Sequence, residues 1–382
     1  MSRSVPPSPV AAQSPASPAT RARAILPVVR AHAATAEHNG RLTGPILSAL
    51  SSAKLLQLGT PPADGGAADW STIGEAVSAL AEADASTAWV VGSYAYASAQ
   101  AAAAPDIHAR VLGAGRGSIV TFAPSPTREV RRVRGGFLVS GRWNAIPGSA
   151  HADWLGVLLV LPEGETPGIA RTHLPMAELT RHRTWGATGL RAASADTIAA
   201  EDLFVSDDQV QRDVERPSRD PALAIPPAAA VVGAAAGALE EAIAAARSRP
   251  WTGTKYRVAG ESTTIQGKLS DAAMHLSGAR LHLVRAARTV DAAIRSGRPM
   301  SADVRTRCRV DAGWATADSV AAVDAVMGAV GAEAMAESAP FERYWRDVQT
   351  LSRHGSVDPL STREAYGRFL IAQDAPLAEL PL

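Results

Sequence analysis

The sequence predicts an α+β protein in which a helical N-terminal domain and a C-terminal four-helix bundle flank a middle β domain, barrel or sandwich. Three observations predict it. From Arg21 to about Gly115, apolar residues recur at helical spacing. From 117 to about 210 the pattern changes to short runs between Gly and Pro breaks, several of them alternating. Beyond a polar linker, SDDQVQRDVERPSRDP, helical stripes resume. The boundaries expected are a disordered tail over 1–20, N-terminal helices over 21–115, the β domain over 116–215 and the bundle over 216–382.

Taken in order, the tail MSRSVPPSPVAAQSPASPAT is rich in Pro, Ser and Ala and lacks the apolar stretch of a secretory signal. Ile25, Val28 and Val29 begin the first helix face, Gly40 and Gly44 break it, and Pro45 to Gln57 reads as a second helix. A Gly/Pro loop, LGTPPADGGAADW, follows. Ser71 to Ala83 puts Ile73, Val77 and Leu80 on one face, whereas Ser86 to Ala104 is small and apolar nearly all round and should be buried. Five strands, SIVTFAP, GFLVSGRW, DWLGVLLVL, GIARTHLP and ADTIAAEDLFV, joined by short turns, suggest an antiparallel unit. Ala228 to Arg247 is rich in Ala and Gly, which lets helix axes approach closely. Leu269, Ala273, Leu276, Leu283, Ala287, Val290 and Ile294 then form one stripe, and Val304, Cys308, Val320, Val323, Met327 and Val330 the next. Both suit the seams of a bundle.

With 382 residues, 46% of them hydrophobic, and a net charge of +1, the chain has the balance of an ordinary globular protein. No charge excess points to nucleic acid or an anionic membrane as partner, and no apolar run is expected to reach the roughly 20 residues of a membrane span. The single cysteine, Cys308, excludes an intrachain disulfide framework, suits the cytoplasm and reads as a small core residue. No Gly-x-Gly-x-x-Gly follows a strand and no Walker loop occurs, so neither nicotinamide nor ATP is expected. His173, His182 and His275 share no ligand spacing with a carboxylate or cysteine, and no metal site is expected.

Three stretches carry a resemblance: RGGFLVSGRWNAIPGSAHADWLGVLLVL from Arg134, WGATGLRAASAD from Trp185 and FERYWRDVQTLSRH from Phe341. In this order and spacing they resemble the acyl-CoA dehydrogenase-like superfamily. More closely they resemble its oxygenating branch, the two-component flavin-dependent monooxygenases such as dibenzothiophene monooxygenase, hydroxyphenylacetate hydroxylase and sugar N-oxygenase. The resemblance implies a middle β-barrel, a bundle that builds a homotetramer, and an oxygenase component. Such a component takes reduced flavin, FMN or FAD, from a separate reductase and oxygenates a small organic substrate with O2, in the manner of secondary metabolism. It places His354 beside the flavin as base or hydrogen-bond donor near the C4a position, two roles open to a near-neutral imidazole. Read from the residues alone, His354 is a surface histidine before Gly355. Arg343, Trp345, Arg346 and Asp347 read as an ion-pair and packing cluster that positions it, and Arg191 as an ion-pair residue. The cofactor-binding positions implied are Trp143, Ile146, Pro147 and Gly148 in one loop and Trp185 and Ser194 in a second. Arg257 and Gln266 lie in a polar loop, partly for a neighbouring subunit.

The chain departs from the family pattern at both loops. Ala192, Ala193, Ser194 and Ala195 stand where the family has Gly-Thr-Gly-Ser, and Ala145, Ile146, Pro147 and Gly148 where it has Phe-Ser-Ser-Gly. Pro147 brings neither an N–H nor a hydroxyl. Each neutral hydrogen bond lost is worth about 0.5–1.5 kcal/mol, so weakened flavin binding is expected. Ala63 and Asp64 likewise replace a small-aromatic pair. Two other readings follow. One is a flavin-free descendant with a binding or non-redox role such as cyclisation. The other is an acyl-CoA dehydrogenase, for whose carboxylate base Glu333, Glu337 and Glu364 lie in the right region but in no base motif.

Overall fold

A computed structural model describes residues 16–61, 66, 69–113, 117–162, 168–212, 214–216, 219–336 and 339–372. The expectations about the first fifteen residues, Ala63, Asp64 and Glu337 lie outside the described residues.

The first helix, α1 (Pro18–Asn39), starts inside the stretch expected to be disordered, because Ser17 accepts from the Thr20 amide and Pro18 occupies the first turn. It buries Leu26 and Val29 and turns Val28 outward. α2 (Gly44–Ser52) ends before the expected Gln57, where Lys54 takes a left-handed φ of 53°. α3 (Trp70–Ala81) and α4 (Ala85–Ala102) are capped by Asp69 and Asp84, whose carboxylates accept from the Thr72 and Thr87 amides. Burial nearly all round makes α4 a core helix, as its composition predicts. A short α5 (Pro105–Ile107) leads through a π-turn to the strands.

Among the described residues, seven strands make two sheets. In one, β1 (Val120–Phe122), β4 (Trp154–Val160) and β5 (Ile169–Pro175) lie in the order β1-β4-β5. In the other, β2 (Val130–Val133), β3 (Gly136–Ile146), β7 (Asp196–Ser206) and β6 (Thr180–His182) lie in the order β2-β3-β7-β6. The sheets enclose one core, in which Phe137, Val139, Trp143 and Ile146 meet Leu155, Val157 and Leu159. Leu158 points the other way, into the helical core. Covered on both faces, β4 therefore reads as a continuous apolar run. Two features differ from expectation. β1 pairs with β4 in parallel, not antiparallel, and β2 and β6 had no visible signal, since VRRV carries two arginines and TRH is too short to show a period.

The bundle is α6 (Ile225–Ser248), α7 (Thr263–Ser296), α8 (Ala302–Ala329), α9 (Pro340–Leu351) and α10 (Pro359–Ala372). α6 is the hub, packed on α3, α4, α7, α8 and α9. Its small residues allow this: a Cβ on Gly233 would lie 2.0 Å from the Ser78 carbonyl oxygen of α3. Against expectation, the stretch Pro221–Ser248 is apolar and long enough to cross a membrane, with a mean hydropathy of 1.8; 94% of that window is buried by other helices, as a core helix requires. The α7 seam uses Ala272, Leu276, Ala279, Leu283, Ala287 and Val290. Ala273 and Ile294, expected in it, face outward. From near the C-terminal end of α7, Asp291 accepts from the Trp70 amide at 2.6 Å and the Ser71 amide at 3.0 Å. A buried carboxylate thus caps α3 and joins the N-terminal helices to the bundle.

Candidate functional site

The site forms where the end of β3, the turn before β7 and the segment after α9 meet. The β3–β7 register slips between the pairs Trp143↔Ile198 and Ile146↔Asp196, so Asn144 and Ala145 bulge, Ala145 at φ 56°. A bulge re-aims side chains and frees backbone groups from the ladder. Asn144 is steadied by the Thr197 hydroxyl, which donates to its Oδ1 at 2.9 Å. Behind the bulge, Gly148 N–H donates to the Ala193 carbonyl at 2.8 Å and the Ser149 hydroxyl to the Ser194 carbonyl at 2.7 Å. These bonds join the two loops.

The second loop is held from α9. Leu190 N–H donates to Asp347 Oδ1 at 2.6 Å and Gly189 N–H to Thr350 Oγ1 at 3.1 Å. The Arg346 guanidinium bonds the Thr188 carbonyl while pairing with Glu342 and, at 2.6 Å, with Glu37 of α1. Arg343 reaches the same Glu37 at 3.3 Å. Gly189 is needed here because a Cβ would lie 2.2 Å from the Arg346 carbonyl oxygen. With the loop so fixed, Trp185 donates its indole N–H to the Leu190 carbonyl at 2.8 Å and sets its ring 5.8 Å from that of Trp89. Burial, reinforced by Asp84 and Glu37, pushes the Asp347 carboxyl up to about 8.

α9 ends at Leu351, and the following turn delivers His354. Its ring stands edge-on to Trp89, 6.3 Å between centroids at 78°. The Ser356 amide points at Nδ1 at 3.4 Å and the Ser356 hydroxyl lies 2.9 Å from the same atom. An N–H can only donate, so Nδ1 accepts and the neutral ring carries its proton on Nε2. Burial pushes the imidazole down to about 4, which keeps it neutral at ordinary pH.

These elements wall a cavity of about 450 Å³. Trp89, Trp143, Trp185 and His354 give it ring surfaces, the Asn144–Ala145 bulge a polar edge, and Arg142 and Arg353 cationic groups. Flat apolar walls with a few polar groups at one edge suit a planar heteroaromatic ring. The residues present therefore fit an isoalloxazine, with backbone groups of the bulge in place of the missing hydroxyls.

Of the positions expected to bind cofactor, Trp143, Ile146 and Trp185 line this cavity, as does His354. Pro147, Gly148 and Ser194 do not. They are buried behind the wall, with the Pro147 carbonyl accepting from Thr121 at 2.8 Å and the Ser194 hydroxyl lacking a partner among the described residues. Ala192, Ala193 and Ala195 pack into the helical core. Arg257 and Gln266 also lie elsewhere within this chain: Arg257 is exposed beside Glu261 at 3.7 Å, and Gln266 donates to the Gly260 carbonyl at 2.9 Å. Arg191 is exposed and in no ion pair among the described residues. Sequence reasoning missed Trp89, Ser125, Thr350 and Arg353. Trp89 belongs to a helix apolar all round, where no periodicity marks the residue that meets a cavity.

Helices, two sheets and a helical bundle, with a cavity between the β domain and the bundle, make up the acyl-CoA dehydrogenase-like fold. The family model described as Acyl-CoA dehydrogenase, C-terminal domain, matches residues 225–359. The flavin-dependent monooxygenase oxygenase subunit HsaA of Mycobacterium tuberculosis is 26% identical over 360 residues, covering 88% of this chain and 90% of the relative. The FADH(2)-dependent resorcinol hydroxylase oxygenase component of Rhizobium is 26% identical over 370 residues, with the same coverage. Among solved structures, XiaF from Streptomyces, in complex with FADH2 and glycerol, is 27% identical with a TM-score of 0.87, covering 95% of this chain and 96% of that one. Dibenzothiophene monooxygenase TdsC from Paenibacillus, at 20% identity, shares the fold with a TM-score of 0.82 over 95% of this chain and 99% of that one. The chain thus has the acyl-CoA dehydrogenase-like fold and is similar over most of its length to oxygenase components of flavin-dependent monooxygenases.

Proposed function

We propose that this chain is the oxygenase component of a two-component flavin-dependent monooxygenase, and that the cavity walled by Trp143, Trp185 and His354 is where it works. The observation that carries this reading is a neutral His354, its Nε2 proton free of the Nδ1 contacts, at the wall of a cavity lined by Trp89, Trp143 and Trp185. Reduced flavin bound there, delivered by a separate reductase, supplies two electrons to O2, so that one oxygen atom enters the substrate and the other leaves as water. The protein supplies the surroundings for that chemistry. Trp143 and Trp185 would hold the ring, and the Asn144–Ala145 backbone would offer polar groups to it. Trp89 and Leu190 keep water out. His354 Nε2–H would donate a hydrogen bond at the reacting oxygen, and because the ring stays neutral in doing so no charge is buried.

The three parts act as domains with boundaries near 112–117 and 212–219. The active form is a homotetramer, in which Arg257 and Gln266 reach a flavin only across a subunit boundary. The test is an anaerobic titration with FMNH2 and FADH2, followed by oxygen. Reduced flavin should bind at micromolar concentration and oxidised flavin more weakly, leaving the purified protein colourless. Failure of both reduced flavins to bind would sink the proposal.

A further inference from the structure

On its helix-facing side β5 carries two buried polar side chains that the flavin cavity does not use. His173 is 1% exposed and Arg171 5%. In the sheet register His173 lies opposite Gly156 and Arg171 opposite Leu158, with Phe122 of β1 on the far side of Gly156. Residues two apart on a strand share a face, so Trp154, Gly156 and Leu158 run alongside His173 and Arg171. Gly156 leaves the middle of this row without a side chain, and a Cβ there would lie 2.9 Å from the Phe122 ring and 3.2 Å from His173 Nε2. Two cations approach the same place. The Arg171 guanidinium stands 5.9 Å from the centre of the Phe122 ring, and that of Arg110, from the π-turn ahead of the strands, 5.5 Å from the centre of the Trp154 ring. Burial first, then Arg171 and Arg110, push the His173 imidazole down to about 3, so the ring is neutral.

These groups lack partners. Neither ring nitrogen of His173, nor Arg171 Nε, nor Arg110 Nη2 is hydrogen-bonded among the described residues. Arg171 does give its Nη1 to the Gln100 carbonyl of α4 at 3.0 Å. Asp220, whose charge acts on Arg171, is occupied by the Ala222 amide at 2.9 Å, the Tyr96 hydroxyl at 3.0 Å and Gln100 Nε2 at 3.1 Å. Asp208, whose charge acts on Arg110, is exposed. Buried donors are as a rule hydrogen-bonded and buried charges paired, and here several donors converge with no acceptor between them.

We propose that this row is a binding site for a small inorganic anion of the size of chloride, held by Arg171 Nε–H, Arg110 Nη2–H and the ring N–H of His173. A neutral imidazole still has one N–H to give, and bonds from the two guanidinium groups are charge-assisted. Two guanidiniums with no carboxylate among the ligating groups repel a cation. The close approach of Phe122 and His173 around Gly156 limits the guest to very few atoms. The bound ion ties β5 to the π-turn and, through the Arg171–Gln100 bond, to α4, so it joins the β domain to the N-terminal helices. The site stands apart from the oxygenase reading and does not depend on it.

The test takes the full chain in sodium gluconate and replaces gluconate by chloride at constant ionic strength while Tm is measured. An anion that binds the folded state should raise Tm with the logarithm of its concentration once the site begins to fill. Arg110→Gln, at a half-buried position, should remove that dependence, and His173→Gln, which keeps a donor, should retain part of it. Crystals soaked in bromide should show an anomalous peak within hydrogen-bond distance of Arg171 Nε, a reading that needs no variant to fold. A Tm indifferent to chloride, a dependence equal in the wild type and Arg110→Gln, or a water in place of the bromide peak overturns the proposal.

Discussion

His354 and Asp347 are both buried titratable groups, and burial moves them in opposite directions with different consequences. His354 stays neutral down to about 4, so the acid limb of the pH–rate profile should lie nearer 4 than the 6.5 of a free imidazole. His354→Ala should lower product formation by about a hundredfold or more, the lower end of what a positioned acid or base contributes. Hydrogen peroxide release should rise as product falls, and thermal stability should change little. Equal product yield would return His354 to a structural role. Asp347 works through stability. Folded, it keeps its proton up to about 8, whereas unfolded it loses it near 3.8. Between those values the folded state binds more protons, so this group's contribution is full below 3.8 and is lost as pH rises through 8. Asp347→Asn, which can still accept from Leu190 N–H, should flatten the decline in stability between about pH 4 and 8. Urea denaturation at stepped pH would show it.

Among the elements, α9 has the most to hold. One helix turn presents Arg346 and Asp347 to the 185–195 loop, and the next presents Thr350 to the same loop before releasing the chain toward His354. The loop and the histidine are therefore positioned by the same element, and a change in one is transmitted to the other. Gly189→Ala tests this. The added Cβ would meet the Arg346 backbone at 2.2 Å, which cannot yield as a side chain tip would. The expected cost is about 1–3 kcal/mol of stability. A fall in reduced-flavin affinity should accompany it, because Trp185 moves with the loop. Unaltered flavin affinity in a destabilised variant would separate the loop from the site.

In the whole molecule, α6 closes the core while α7 leaves apolar side chains outside it. Met274 and Leu281, seven residues apart on one face, are 71% and 72% exposed, and Ile294 is 57% exposed. Apolar residues aligned on an outer helix face mark an association surface. Light scattering should find a tetramer at micromolar concentration. Met274→Glu with Leu281→Glu should reduce it to smaller species, and flavin affinity should fall with it if Arg257 and Gln266 serve a neighbouring subunit. A monomeric wild type would remove this reading.

Helices, then strands, then helices were determined by sequence alone, because the change of apolar period from helical to alternating and back is a local property of the chain. So were Trp143, Ile146, Trp185 and His354, carried by motifs whose spacing reflects contacts such as Leu190 to Asp347 and Gly189 to α9. Only the tertiary structure decided which neighbours of those residues face the cavity. The bulge at Asn144 and Ala145 turns the chain so that Pro147 and Gly148 fall behind the wall, and Ser194 is drawn inward by Ser149. Of the substitutions expected to weaken flavin binding, Pro147, Ala192, Ala193, Ser194 and Ala195 therefore lie in the packing behind the wall, whereas Ala145 and Ile146 line it. Trp89 enters from a helix whose pattern marks it only as buried, and the wall joins residues from separate parts of the chain. Such a surface has no local signature, since it exists only where separately specified elements pack together.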